Sequence, residues 1–178
     1  MDDDTDTTVE REGTLAPETV AAAREEYASL VATAKVVTRE AAKAMAFDRA
    51  EYADRVDEDV IASVRDALFA SLLAVQVGDR AAFEAWCDAN PEYEPVVEGS
   101  EHADRVVWHA PPFADHVVAA TFVDEREAAV GTLRRQAFGR LYRDVLDETD
   151  GDSGDGGSRD GTVDGDEPGV DDPADPEA

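Results

Sequence analysis

The sequence predicts an α+β fold with N-terminal helices, a small antiparallel β-hairpin or three-stranded meander, and one long C-terminal helix. Apolar residues recur at helical spacing from Pro17 to about Asn90. After Pro91 they alternate with polar residues, as in half-buried strands, and helical spacing returns from Asp124 to Leu146. Helices and strands that are separated along the chain in this way are typical of α+β proteins.

The two ends of the chain are acidic and contain few of the apolar residues that a core requires. We expect residues 1–13 to form a disordered acidic arm. Residues 147–178 hold thirteen acidic residues against Arg159 and are expected to form a disordered acidic tail. A single domain is therefore predicted over residues 14–146.

Two longer helices and a short one are predicted at the start of this domain. A helix begins near Pro17, is interrupted at residues 36–38, where two Val and a Thr weaken the pattern, and resumes over residues 39–47. Asp48 can cap a short helix that carries Tyr52 and Val56.

The central core helix is predicted next. Asp57 or Asp59 can cap it, and Gly78 stands where a helix often ends. Asp79 then caps a helix of two to three turns, which Asn90 and Pro91 end. The core helix carries one apolar stripe formed by Ile61, Val64, Leu68, Leu72 and Val75, with Phe69 and Leu73 beside it.

Three strands are predicted over Pro95–Glu98, Arg105–Ala110 and His116–Phe122. If the last two pair as a hairpin, alternate residues share a face of the sheet. The heavier face, expected to meet the helices, holds Val106, Trp108, Val118, Ala120 and Phe122, whereas the other holds Val107, His109, Val117 and Thr121.

The last helix, which Asp124 can cap, stands out from the acidic chain because it has no excess of acid. It contains five Arg against four acidic residues, and Arg134 falls on its apolar side among Val130, Phe138 and Leu141. Either Arg134 reaches past the edge of the core while the other Arg pair with the acidic surface, or Arg134 belongs to a docking face for an anion or a protein. We predict a binding face that contains Arg134, Arg135, Trp108 and Phe113.

The composition indicates a protein adapted to high salt. Repulsion from a net charge of −27 destabilises a compact chain unless salt screens it, and only two of the sixteen basic residues, Lys35 and Lys43, are Lys. The alternative is an acidic protein that binds basic partners or mimics nucleic acid. The single Cys87 is compatible with a reducing cytoplasm, and the apolar run from Ala67 to Val77 is too short to span a membrane.

Three segments together resemble an uncharacterised family of small haloarchaeal proteins. They are Arg65–Leu73 (RDALFASLL), Val107–Phe113 (VWHAPPF) and Asp124–Val130 (DEREAAV). The resemblance covers about Pro17 to Leu146, and it implies no activity, cofactor or catalytic residue.

Neither a metal site nor a cofactor is expected. His102, His109 and His116 are seven residues apart, which is not a ligand spacing on a strand, although Asp104, Asp115 and Cys87 are possible further ligands. For catalysis, the candidates are His109 as a base with Asp115 or Asp104 as its orienting partner. Nucleophiles could be Ser100, Thr121 or Cys87, but no nucleophile elbow surrounds them.

The sequence thus favours a non-enzymatic cytoplasmic interaction or regulatory module. Its partner would be another protein or a second copy of the chain, bound through the last helix. The alternative is a small enzyme or ligand-binding protein with a pocket near His109. A third reading is a nucleic-acid-associated protein that uses the Arg-rich last helix, but a single basic helix on an acidic body lacks the broad positive surface that nucleic acid requires.

Overall fold

A five-stranded mixed sheet lies at the centre of the structure, a computed structural model that describes residues 8–147. Helices cover both faces of the sheet. The elements in chain order are β1 (Glu10–Glu12), α1 (Val20–Ser29), α2 (Val31–Ala44), α3 (Arg49–Arg55), α4 (Glu58–Leu72), β2 (Val75–Asp79), α5 (Arg80–Ala89), β3 (Glu94–Glu98), β4 (Arg105–His109), β5 (His116–Phe122), α6 (Arg126–Ala137), a π-helical turn (Phe138–Tyr142) and α7 (Arg143–Asp147).

The α+β class is confirmed, but the predicted sheet was too small. The strand order is β1-β2-β4-β5-β3, and β3 pairs with β5 in parallel, whereas the other neighbours are antiparallel. Neither β1 nor β2 was predicted. β1 lies inside the segment predicted as a disordered arm, and the rest of the predicted tail after Asp147 lies outside the described residues.

The predicted assignment of side chains to the two faces of the hairpin was wrong by one residue in β5. Trp108 lies opposite Ala119 and His109 opposite Val118, so Val118 shares the His109 face rather than the Trp108 face. Both faces are buried. Phe83 of α5 packs against Trp108 on one face, and Val130 and Leu133 of α6 pack against the other.

The N-terminal helices differ from the prediction in where they are interrupted. The break is at Leu30, and α2 runs without interruption through residues 36–38, so the predicted break there is wrong. The hydroxyl of Thr38 is accommodated inside α2 by donating to the Ala34 carbonyl at 2.8 Å. Asp48 caps α3, as predicted, and Asp57 rather than Asp59, the two candidates for α4, caps that helix.

The core helix ends at Leu72, so the prediction that it continues to Gly78 is wrong. Residues 75–79 form β2, which pairs with β1 and β4, and its Val75 and Val77 are buried. Gly78 does not end a helix but allows the Trp108 ring to pack closely against β2, since a Cβ atom at position 78 would lie 3.2 Å from that ring. Asp79 caps α5 and Asn90 ends it, as predicted.

The C-terminal helical run is not one regular helix. A π-helical turn joins α6 to α7, and the side chain of Asp124 does not cap α6, which begins after Glu125 without a side-chain cap. The extra residue of the π turn moves the buried side of the run. After Ala137 and Phe138, the next core residues are Tyr142 and Leu146, whereas the predicted Leu141 and Val145 are half-buried.

None of the helices within residues 8–147 is both long enough and apolar enough to traverse a membrane.

Candidate functional site

His109 at the end of β4 forms a closed hydrogen-bonded unit between the sheet and the helices. Its Nδ1 lies 2.6 Å from the Ala74 carbonyl oxygen, which can only accept, so Nδ1 carries the proton. Its Nε2 lies 2.7 Å from the Tyr142 hydroxyl and therefore accepts the hydroxyl proton. The side chain is 6% exposed, and its burial lowers the pKa of the imidazole to about 4. His109 is a neutral imidazole with both nitrogens occupied.

The π-helical turn brings Tyr142 to this position. In a regular helix the residue after Ala137 on the same stripe would be Leu141, which has no polar group. The Tyr142 ring also packs against Phe69 and Phe113, with centroid distances of 5.2 and 5.6 Å. Burial raises the pKa of the Tyr142 hydroxyl, so this group remains a donor.

A pocket of about 220 Å³ lies beside His109, as the ligand-binding alternative requires. Arg11, Glu18 and Gln76 contribute its polar side chains, and Pro111 and Pro112 form part of its wall. Its volume is below the range of about 300–1,000 Å³ for pockets that enclose drug-sized ligands. A ligand there would meet an imidazole that has no free nitrogen.

The other predicted catalytic residues lie apart from His109. Asp115 accepts a hydrogen bond from His116, and this bond holds the pKa of the Asp115 carboxyl below its usual range. Both side chains are exposed to solvent, that of Asp115 more than that of His116. Ser100 and Thr121 lie in adjoining segments, with the Thr121 hydroxyl 3.0 Å from the Ser100 carbonyl oxygen. Cys87 is half-buried, and burial raises the pKa of its thiol. No cluster of three or more potential metal ligands occurs among residues 8–147.

The four residues of the predicted binding face have different environments. Arg134 is 15% exposed, and its Nε donates to the Leu73 carbonyl at 2.9 Å while its Nη2 lies 3.3 Å from the Glu12 carbonyl. Trp108 is fully buried, and Phe113 is half-buried against Tyr142. Arg135 is exposed and donates to Thr132 of its own helix.

Helix α2 has a surface that sequence reasoning missed. Its buried row, Ala34, Thr38 and Ala42, faces α4 and α1, which are its main packing partners. Residues four apart lie in one row along a helix, so the basic row Lys35, Arg39 and Lys43 runs beside the buried row. The remaining exposed side, which we call the outer face of α2, carries Thr33, Val36, Val37, Glu40 and Ala44.

The outer face of α2 exposes large apolar side chains on a helix that is otherwise well formed. Val36 is 53% exposed and Val37 40% exposed, and Met45 follows at the end of the helix at 65%. The signal was present in the sequence as three basic residues at spacing four, two of which are the only Lys of the chain. The predicted break at residues 36–38 divided the pattern and concealed it.

Comparison with known proteins places the chain in a family but gives no activity. The family model described as a family of unknown function (DUF5809) matches residues 14–143, and the chain belongs to this family. No curated protein and no solved structure matches.

Proposed function

We propose that this member of a family of unknown function is a non-enzymatic interaction module, adapted to high salt and acting in the cytoplasm. The observation that carries the proposal is the outer face of α2, where Val36 and Val37 are exposed beside the basic row Lys35, Arg39 and Lys43. Exposed apolar residues grouped with one sign of charge are typical of docking surfaces.

The apolar part supports a helix or an extended peptide as the partner. The outer face of α2 places Val36 and Val37 on the same side of the helix as Ala44, whose small side chain allows close approach of a second backbone. The opposite side of α2 packs on α4, so the helix is held by the fold and is not free to turn its apolar residues inward. Docking of a partner would bury Val36 and Val37 without breaking any contact that α2 makes with the rest of the fold.

The charge supports an acidic partner. Residues 31–47 carry three basic side chains against Glu40, which itself pairs with Lys43 at 2.7 Å, whereas the whole chain has a net charge of −27. Lys35 and Arg39 form no ion pair within residues 8–147. In a symmetric dimer of this chain, the basic row of one copy would face the basic row of the other, and the two would repel. A different protein, with a segment that carries both acidic and apolar side chains, fits this surface better.

The proposal is tested by capture of partners from an extract of the source cells at a fixed KCl concentration. Val37→Glu and Arg39→Glu are each expected to lower recovery of the partner by about tenfold, which corresponds to about 1.4 kcal/mol. Val123→Glu is the matched control, because Val123 is 70% exposed in the segment that joins β5 to α6. Equal recovery from all three variants would contradict the proposal, as would the absence of any captured protein.

The pocket beside His109 supports a second candidate function, the binding of a small ligand. Its mixed lining of Arg11, Glu18 and prolines suits a small polar molecule. Arg11→Gln would then abolish ligand-induced stabilisation in a thermal-shift screen of metabolites, while Arg135→Gln would leave it unchanged.

A further inference from the structure

A second concave surface lies where α2 turns into α3, outside the outer face of α2 and far from His109 in the sequence. It is a pocket of about 230 Å³. Three cationic side chains line it, together with two aromatic rings and one carboxylate, and these are Arg39, Lys43, Arg49, Phe47, Tyr52 and Asp48. We infer that this pocket binds a nucleoside monophosphate, with the phosphate on the cations and the base against the aromatic rings.

The cations of the pocket are available for a ligand. Arg39 and Arg49 form no ion pair or hydrogen bond with another side chain within residues 8–147. Lys43 forms an ion pair with Glu40 at 2.7 Å. Both side chains are exposed, and an exposed ion pair contributes little stability, so Lys43 can turn to a ligand. Two unpaired guanidinium groups beside one concavity suit a doubly charged oxyanion, because each presents a planar fork of donors that matches phosphate.

The carboxylates near the pocket are already used by the backbone. Asp48 accepts hydrogen bonds from the backbone N–H groups of Ala50 and Glu51 at 2.8 and 2.9 Å. Glu51 in turn accepts from the backbone N–H of Asp48 at 3.0 Å, which completes a capping box. These two side chains are therefore held at the N-terminus of α3 and form no ion pair with Arg39 or Arg49.

The aromatic rings distinguish a nucleotide from a bare phosphate. Phe47 and Tyr52 are both half-buried and line the same pocket as the cations. The Arg55 guanidinium lies over the Phe47 ring, 5.1 Å from its centroid. A planar group therefore already stacks on one of the aromatic rings of the pocket. Stacking of a base on an aromatic side chain strengthens binding by about tenfold or more per base. The volume of about 230 Å³ is below that of pockets that enclose drug-sized ligands, so a bound nucleotide would remain partly exposed to solvent.

The inference shares Arg39 and Lys43 with the basic row of the proposed docking surface, but it also depends on α3 and on Arg49, which are not part of that surface. Isothermal titration of the full chain with adenosine monophosphate and, separately, with inorganic phosphate tests it at one KCl concentration. We expect the nucleotide to bind at least about tenfold more tightly than phosphate, since one stacked base supplies that difference.

Variants then assign the binding to this pocket. Arg39→Gln and Arg49→Gln should each weaken nucleotide binding by about tenfold, as expected for loss of one charge-assisted contact. Tyr52→Leu should weaken binding of the nucleotide but not of phosphate. Arg135→Gln, which removes the same charge from the exposed surface of α6, should change the affinity less than twofold, roughly the effect of one distant screened charge.

Three results would overturn the inference. They are no binding of either probe, binding of phosphate as tight as that of the nucleotide, and equal losses in Arg39→Gln and Arg135→Gln. The thermal unfolding midpoint of each variant, compared with that of the unsubstituted chain, verifies that the exposed substitutions leave the fold intact. If the unsubstituted chain captures a partner but does not bind the nucleotide, this inference alone is contradicted. If it binds the nucleotide but captures no partner, only the proposed interaction module is contradicted.

Discussion

The Nε2 atom of His109 lies 2.7 Å from the hydroxyl oxygen of Tyr142, and this contact joins β4 to the π-helical turn. Because the other nitrogen donates to Ala74, the Tyr142 hydroxyl must be the donor in this pair. The contact therefore fixes the tautomer of His109 and ties the C-terminal helices to the sheet.

Tyr142→Phe should destabilise the protein, because it leaves the Nε2 acceptor of His109 buried without a donor. The expected loss in free energy of unfolding is about 1–3 kcal/mol, measured by urea denaturation. Tyr93→Phe is the control: the Tyr93 hydroxyl lies 3.4 Å from the Pro111 carbonyl, a long contact whose loss should have little effect. A Tyr142→Phe protein as stable as the control would show that the hydroxyl is dispensable.

Stability should decrease as the pH falls from about 6.5 towards about 4, because of His109. The folded-state pKa of about 4 is below the ordinary value of 6.5, so protonation favours the unfolded chain. The stabilisation is complete above pH 6.5 and is lost as the pH approaches 4, by about 3 kcal/mol in total. The free energy of unfolding of His109→Gln, measured over this range, should have a shallower slope with pH. His102→Gln, at an exposed position, should keep the slope of the unsubstituted chain.

Arg134→Leu should destabilise the fold by about 1–3 kcal/mol, because the Leu73 and Glu12 carbonyls lose their charged donor. Arg135→Leu, at the next position but exposed, should change stability by less than about 0.5 kcal/mol. Chemical denaturation of the two variants measures both values. Unchanged stability of Arg134→Leu would instead favour the docking role predicted for Arg134.

Gly13→Ala should be strongly destabilising, by about 2 kcal/mol or more. Gly13 has φ +110°, and a Cβ atom there would lie 2.4 Å from the Leu73 carbonyl oxygen, which is backbone and cannot move aside cheaply. The matched control is Gly139→Ala in the π-helical turn, where an added Cβ meets no atom within 4 Å. Its stability should be unchanged or slightly raised, by about 0.5–1 kcal/mol. Similar thermal midpoints for the two variants would contradict this account of Gly13.

Features set by neighbouring residues could be predicted from the sequence. The capping residues Asp48, Asp57 and Asp79 were identified, because a cap depends on a side chain and the N–H groups two or three residues later. β3, β4 and β5 were found to within a residue or two, since Pro91 and the change of period separate them from the helices.

Features set by distant residues could not be predicted in this way. Val75 fits the spacing of the α4 stripe, and only its pairing with Glu12 of β1 makes it a strand residue. The register of β5 was wrong because apolar residues occupy both of its faces, so alternation gives no preference. The π turn shifts the core stripe by one residue, which a period of 3.6 does not anticipate.

The candidate site was predicted less well than the fold. The face of His109, opposite that of Trp108, was correct, but its partners Ala74 and Tyr142 are 35 and 33 residues away. Arg134 was identified as unusual, yet its carbonyl partners come from segments that were not predicted as strands or strand ends. The basic row of α2 was missed because a local weakening of the helical pattern resembles a break.

The most direct test of the proposed interaction module is site-specific photo-crosslinking at the outer face of α2. A photoreactive amino acid replaces Val36 in one preparation and Val123 in another, each is irradiated in source-cell extract, and the crosslinked peptides are identified by mass spectrometry. The account predicts an adduct with an acidic segment of a different protein at position 36 and none at position 123. Adducts of equal yield at both positions, or an adduct at position 36 only with peptides of the same chain, would contradict it.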